Sequence, residues 1–316
     1  MGNVAMDRTD SISVEAILRD ELARENRALR SVAPVISHML ETPGHSLVND
    51  AIVARVRGMV GDLARQLLGG EPGAVHELVD QLGDRLSADS HILNHLYAVA
   101  MEGHLTERLE QRSSVDPVLS PLLQELIASD RPAVAELAMA TLAAQSRFLQ
   151  SQRRMALPLG ELPAELFALI VSIFEEAQLG LDAHEVTRAG KYHRAQYDEG
   201  AGRIGLCARL VSAMGKGSIA ALELDHAGLA LFATAISARA RQPRAFAVLA
   251  CHERQAARLA LSLRAAGLDG EGVERQFLLL EPAELLPEGL SSVSSERARE
   301  LLSALAADHS FSEAAA

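Results

Sequence analysis

Tryptophan is absent from this 316-residue sequence, and Phe and Tyr number only seven and three. So few rings leave little with which to stack a base, a flavin or a sugar. Cysteine is scarce too: Cys207 and Cys251 are too few for a zinc or disulfide framework, and each is expected to be a small buried apolar residue in a reduced compartment. The N-terminus lacks a basic stretch followed by an apolar run, so a secretory signal is not expected. The longest apolar block, Leu166 to Phe174, is bounded by Glu165 and Glu175. It falls far short of the roughly 20 residues a membrane span needs, so no transmembrane segment is expected and the expected location is cytoplasmic. Alternating β-branched runs and Asn-Gly turns are also missing, which argues against nucleotide folds built on a parallel sheet.

What is present is a pervasive three- and four-residue apolar spacing. Val56, Val60, Leu63 and Leu67 carry it early, and Leu119, Leu122, Leu123 and Leu126 carry it mid-chain. Such spacing gives a helix one apolar stripe that must be buried against another. The hydrophobic share is 48%, drawn mainly from Ala, Leu, Val and Ile, and Ala and Leu are strong helix formers. The fold class expected is all-α: an N-terminal helical bundle followed by HEAT-like stacked helical hairpins.

Residues 1–12 are expected to form a flexible leader. The bundle is expected over 13–112, with a long first helix that Pro34 bends, a stop at Thr42-Pro43-Gly44, and helices over about 47–68, 75–86 and 92–109. Gln111 to Val115 reads as a polar joint. Asp116-Pro117, Asp130-Arg131-Pro132, Pro163, Asp182 and Pro243 read as helix starts within a HEAT-like region over 113–285. A terminal helix capped by Ser294, with a frayed tail, is expected over 286–316.

The net charge of −12 is unevenly spread. Between Arg203 and Arg264 nine basic residues face three acids, a surplus of +6, so the remainder carries −18. Such a module can attract an acidic partner, anionic lipid or nucleic acid. The plainer reading is that it docks on its own acidic flanks or presents solvated arginines. Arg239, Arg241, Arg244, Arg254, Arg258 and Arg264 are the candidate partner-binding residues, because guanidinium groups grip carboxylates and phosphates. Only Phe232 and Phe246 interleave with them, which argues against stacking on single-stranded nucleic acid, and no helix that would read a duplex groove is identified.

Within that segment stand Leu206-Cys207-Ala208-Arg209-Leu210, then Ala221-Leu222-Glu223, Leu229-Ala230-Leu231-Phe232-Ala233-Thr234-Ala235, and Leu261-Ser262-Leu263-Arg264-Ala265-Ala266-Gly267-Leu268. The progression resembles the alphaproteobacterial all-helical family called domain of unknown function 2336, and residues 132–154 fit the same group. The resemblance implies helices and a bacterial cytoplasm, and it brings no catalytic residue to carry over.

Four constellations could carry chemistry. His38-Met39-Leu40-Glu41-Thr42-Pro43 resembles the phospho-acceptor box of sensor histidine kinases, with His38 as acceptor and Glu41 beside it as a proton acceptor. The competing reading is a capped helix end with an incidental histidine; Asp198-Glu199-Gly200-Ala201-Gly202 mimics only one glycine box of the kinase module. His91 and His95 stand four apart, a metal-sharing spacing, with Glu102 and His104 within three turns. The favoured reading is of partly exposed histidines flanking the stripe of Ile92, Leu96 and Val99, since the Glu and third ligand of a hydrolytic zinc site are not evident. His184, Glu185, His193 and Asp198 form a further polar group, expected to be an exposed helix face with Lys191, Tyr192, Arg194 and Tyr197. Gly215-Lys216-Gly217-Ser218 departs from the phosphate-loop order at Gly217 and is expected to be a helix end and turn.

The function expected is a non-catalytic helical adaptor whose 13–112 bundle self-associates or holds a partner and whose basic module at 203–264 recognises an acidic surface. Histidine phosphotransfer through His38 is the alternative, and DNA or anionic-surface binding through the basic face is a further one. No cofactor or metal is expected.

Overall fold

The computed structural model describes residues 3–41, 50–69, 76–252, 254–280, 286 and 289–313. Among these residues the regular structure is helical throughout, with fifteen α-helices and no strand. In chain order they are α1 (Asn3–Arg30), α2 (Val32–Glu41), α3 (Asp50–Leu67), α4 (His76–Ser87), α5 (Ser90–Ser113), α6 (Pro121–Ile127), α7 (Pro132–Arg153), α8 (Ala164–Glu176), α9 (Ala183–Gln196), α10 (Arg203–Ala213), α11 (Leu224–Ala240), α12 (Arg244–Ala250), α13 (Ala256–Ala266), α14 (Gly270–Leu280) and α15 (Ser295–Glu313).

Several boundaries fall where the sequence places them. Asp182 caps α9, its Oδ1 accepting from the backbone N–H groups of His184 and Glu185. Ser294 Oγ accepts from Arg297 N at the start of α15. Others differ. α1 begins at Asn3 rather than near Ser13, and the chain breaks at Ser31 rather than bending at Pro34. Pro34 has no N–H to return to the Arg30 carbonyl, and its ring crowds that carbonyl, so the break opens upstream of the proline. Asp116-Pro117 does not start a helix: Asp116 Oδ1 accepts from Val118 N and Leu119 N, both at 2.7 Å, and closes a turn. The start lies at Ser120-Pro121, where Ser120 Oγ accepts from Leu123 N and proline fills the first helical position. The stop at Thr42-Pro43-Gly44 lies outside the described residues.

The chain forms two compact units, each assembled from separated segments: one from residues 1–31, 105–135 and 210–316, the other from 32–104 and 136–209. The first is built on α11 and α13. Leu229, Leu231, Phe232, Ala233, Ala235 and Ile236 of α11 are all buried, as are all residues of α13 except Arg264. A helix that is apolar all round belongs in the middle of a core, so these two carry no single stripe. α6, α12, α14 and the 3-10 turn Gly215–Leu222 pack on α11; α1, α12, α14 and α15 pack on α13. Gly228 interrupts α11 at φ 70°, a left-handed conformation that glycine takes without strain, against Ser120.

In the second unit α3 presents the expected stripe of Val56, Val60, Leu63 and Leu67, buries Ile52 and Met59 beside it, and packs against α2, α4 and α9. Its polar edge holds a loop. Leu157 N donates to Asp62 Oδ2 at 3.0 Å, Gln66 Nε2 donates to Leu157 O at 2.9 Å, and Leu159 N donates to Gln66 Oε1 at 3.0 Å. Gly58 lies under Met155: a Cβ at that position would stand 2.5 Å from the Met155 Cβ.

No single helix among the described residues is long and apolar enough to cross a membrane. Gly215–Leu222 with Leu224–Ala240 reaches that length only across a bend of 116°.

Candidate functional site

The largest concentration of buried charge centres on Arg203, the first residue of α10, in the second unit. Its side chain is 1% exposed and that of Glu102 is 3% exposed. The two pair in a fork: NH1 donates to Glu102 Oε1 at 2.7 Å and NH2 to Oε2 at 3.0 Å. Gln145 Oε1 accepts from NH1 at 3.4 Å, and the guanidinium carbon lies 3.6 Å from the centroid of the Phe148 ring, a cation–π stack. Burial alone pushes the guanidinium pKa down; Glu102 outweighs that and holds it above the ordinary arginine value.

A second carboxylate, Glu161, reaches the same arginine by another route. Its Oε1 accepts from the backbone N of Arg203 at 3.3 Å, and so caps α10. Its Oε2 lies 3.7 Å from Arg203 Nε, beyond hydrogen-bond reach, and neither atom has another hydrogen-bond partner among the described residues. Burial raises the Glu161 pKa; Arg203 pulls it the other way and does not cancel the rise. One guanidinium thus faces two acids, only one of which it binds through its side chain.

An analogous assembly stands in the first unit. Glu25 of α1 accepts from Ala257 N and Arg258 N, each at 2.9 Å, and so binds the N-terminus of α13 through both oxygens. Arg258 is 5% exposed, donates through Nε to Gln255 Oε1 and lies over Phe246. Burial pushes its pKa down to about 10, with the Glu25 charge opposing, so it stays charged at neutral pH. The neighbouring Asn26, 2% exposed, finds no hydrogen-bond partner for either amide atom among the described residues.

These contacts follow one electrostatic rule: acceptors go to helix N-termini and arginines to C-termini. Gln276 Oε1 accepts from Leu224 N at the start of α11, and Glu199 Oε1 from Ala164 N at the start of α8. Arg239 Nε donates to Ala266 O at the end of α13, Arg131 NH1 to Ala213 O at the end of α10, and Arg108 NH2 to Leu280 O at the end of α14.

The six candidate arginines are spread across several environments. Arg258 is buried. Arg239, Arg244 and Arg264 are half-buried: Arg244 donates to Thr234 Oγ1 and Ala230 O, and Arg264 to Leu268 O, Ser291 O and Val293 O. Only Arg241 and Arg254 are exposed. His38 stands on α2; its side chain, with Thr42 and Pro43, lies outside the described residues.

Among the described residues no group of three or more His, Cys, Asp or Glu side chains could hold a metal ion. Glu102, placed by its spacing near His91 and His95, faces Arg203 instead. His184, Glu185, His193 and Asp198 do not converge: Asp198 Oδ1 accepts from Gly200 N, while His193 Nε2 lies 3.4 Å from Leu67 O. Tyr197 stacks on Phe167 at 3.9 Å and donates to Leu162 O, its pKa pushed up to about 12 by burial and by Glu199 and Asp198. Gly215–Leu222 is a 3-10 turn whose Ser218 Oγ accepts from Arg239 NH1. Both cysteines are buried and neither forms a disulfide; Cys251 Sγ donates to Ala247 O.

Sequence reasoning missed Glu25, Gln145, Phe148 and Glu161, and took Arg203 only as part of a basic count. A signal existed for two acids. Glu102 sits three residues after Val99 and three before Leu105, and Glu25 three after Leu22, so each falls on an apolar stripe. Comparison with protein-family models, curated proteins and solved structures returns no match for this chain.

Proposed function

We propose that the protein is a non-catalytic helical adaptor, a cytoplasmic scaffold whose stacked helices bind a protein partner. One observation carries this reading: charged and polar groups suited to chemistry are spent on the ends of other helices. Glu25, Glu161, Glu199 and Gln276 hold N-termini, while Arg108, Arg131 and Arg239 hold C-terminal carbonyls. Such long-range capping fixes helix against helix and leaves broad outer faces for recognition. The finer architecture we propose is an N-terminal bundle, to which α3 packed on α4 would belong, followed by a HEAT-like region, for which α8 packed on α9 is the best example. The resemblance to domain of unknown function 2336 rests on residues 203–268 and agrees with an interaction role without assigning one.

Arg241 and Arg254 are the exposed members of the basic group and the residues through which an acidic partner is met. Affinity capture from native lysate with wild type and Arg241→Glu/Arg254→Glu tests this. A discrete set of proteins enriched by wild type and lost with the variant supports the reading. Capture of nothing above background, together with turnover of a metabolite, overturns it.

A second reading, phosphotransfer through His38, has one observation on its side: His38 lies on a helix, as such acceptors do. Incubation with a phosphorylated response regulator tests it. Acid-labile label that His38→Gln abolishes supports phosphotransfer, and no label on wild type removes it.

A further inference from the structure

The outer face of α7 carries a pattern that packing within its own chain leaves exposed. Glu136, Ala140, Ala143 and Arg147 recur at four-, three- and four-residue steps, and all four are exposed. At 3.6 residues per turn they fall within about 60° of arc, so they form one straight seam. Met139, 51% exposed, stands beside its centre, and Leu137 and Leu142 are half-buried at its flanks. Neither Glu136 nor Arg147 makes a close salt bridge among the described residues; Arg147 acts on Glu161 only through its charge, at longer range. The seam thus has an apolar centre with an exposed acid at one end and an exposed base at the other.

The spacing has a further property. Glu136 and Arg147 are equidistant from the midpoint between Ala140 and Ala143, about 8 Å to either side at 1.5 Å rise per residue. Rotated by 180° about an axis through that midpoint, the seam lies on itself antiparallel. Ala140 then faces Ala143 of the second copy, and Glu136 faces Arg147 of the second copy at both ends. A two-fold interface requires this relation, in which residue i meets j and j meets i. The four-three-four steps are those of a heptad seam, and antiparallel helices pair its two apolar positions with each other. Alanines at the centre let the axes approach to the short end of the roughly 8–10 Å range for helix pairs, within reach of the flanking charges.

We propose that this face of α7 is a self-association surface, and that the chain forms an antiparallel, reversible homodimer through it with two Glu136–Arg147 ion pairs. The occupant is a second copy because the charge order on this one helix is its own complement; a different acidic or basic partner would leave one end mispaired. A single helix pair buries little area, which makes the dimer weak and concentration-dependent. It is distinct from self-association through the 13–112 helices, and it stands whether or not the adaptor reading holds.

Sedimentation equilibrium of the full chain at low salt, from micromolar to millimolar concentration, tests the proposal with Glu136→Arg, Arg147→Glu and the combined reversal. All three changes are at exposed positions, and circular dichroism checks that each variant keeps its helices. Either single reversal turns both ion pairs into like-charge contacts and is expected to raise the dimer dissociation constant about tenfold or more. The combined reversal restores complementarity and is expected to return the constant to the wild-type value. A wild type that stays monomeric throughout overturns the proposal. So does a dimer indifferent to the single reversals, or a combined reversal no better than either single one.

Discussion

Arg203 and Glu102, 101 residues apart in sequence, meet through two hydrogen bonds of 2.7 and 3.0 Å while neither side chain is more than 3% exposed. Removing one member of such a pair strands the other charge in a medium that cannot solvate it. Glu102→Gln and Arg203→Met are each expected to cost about 3–5 kcal/mol in equilibrium unfolding by urea. A loss below about 1 kcal/mol in both would show that water or another group replaces the partner.

Glu161 is expected to behave in the opposite way. Its folded pKa lies above the ordinary glutamate value of 4.5, so its ionised form is the disfavoured one in the fold. The stability it contributes is present below 4.5 and is lost as pH rises through the folded pKa. Glu161→Gln keeps an oxygen to accept from Arg203 N, so it is expected to be neutral or stabilising at pH 7. Its advantage over wild type should shrink as pH falls towards 4.5. Urea midpoints of the two proteins across this range check the sign, and a variant that loses stability at neutral pH would reverse the assignment.

Adjacent residues of α1 offer a second contrast. Glu25 satisfies two orphan donors of α13, and Glu25→Ala is expected to cost about 1–3 kcal/mol. Asn26 is buried with its amide unsatisfied among the described residues, so Asn26→Leu, of similar volume, is expected to gain about 1 kcal/mol. Thermal unfolding of both variants distinguishes them by direction alone.

Gly58 is needed for contact rather than for conformation. A methyl group there meets both the Cβ and the carbonyl oxygen of Met155, which is backbone and cannot turn aside. Gly58→Ala is expected to lose about 1–3 kcal/mol, despite the better helix propensity of alanine. An unchanged urea midpoint would mean that the turn at Met155 moves freely.

The helical class was legible because the three- and four-residue spacing of residues such as Val56, Val60 and Leu63 recurs along the chain. The interleaving of two units was not, since it depends on which distant stripes meet. α11 and α13 show why: buried on nearly every side, they offer no single face from which to read a neighbour. The buried acids were half legible. Glu102 and Glu25 stand on apolar stripes, yet nothing local points from Glu102 to Arg203. The basic face was misleading for a related reason. Counting charges between Arg203 and Arg264 cannot distinguish an arginine facing solvent, such as Arg254, from one whose donors are taken by carbonyls, such as Arg264.

The proposed adaptor role assigns the buried charge to joining helices rather than to a reaction or a ligand. The most direct measurement replaces the joint with an apolar one, Glu102→Leu/Arg203→Met/Glu161→Gln, and compares urea unfolding and the captured protein set with wild type. The account predicts a folded variant within about 2 kcal/mol of wild type, because apolar replacement of a whole buried ion pair is commonly tolerated, and an unchanged set of partners. A variant that folds as stably as wild type yet loses its partners, or loses an activity wild type possesses, would contradict it.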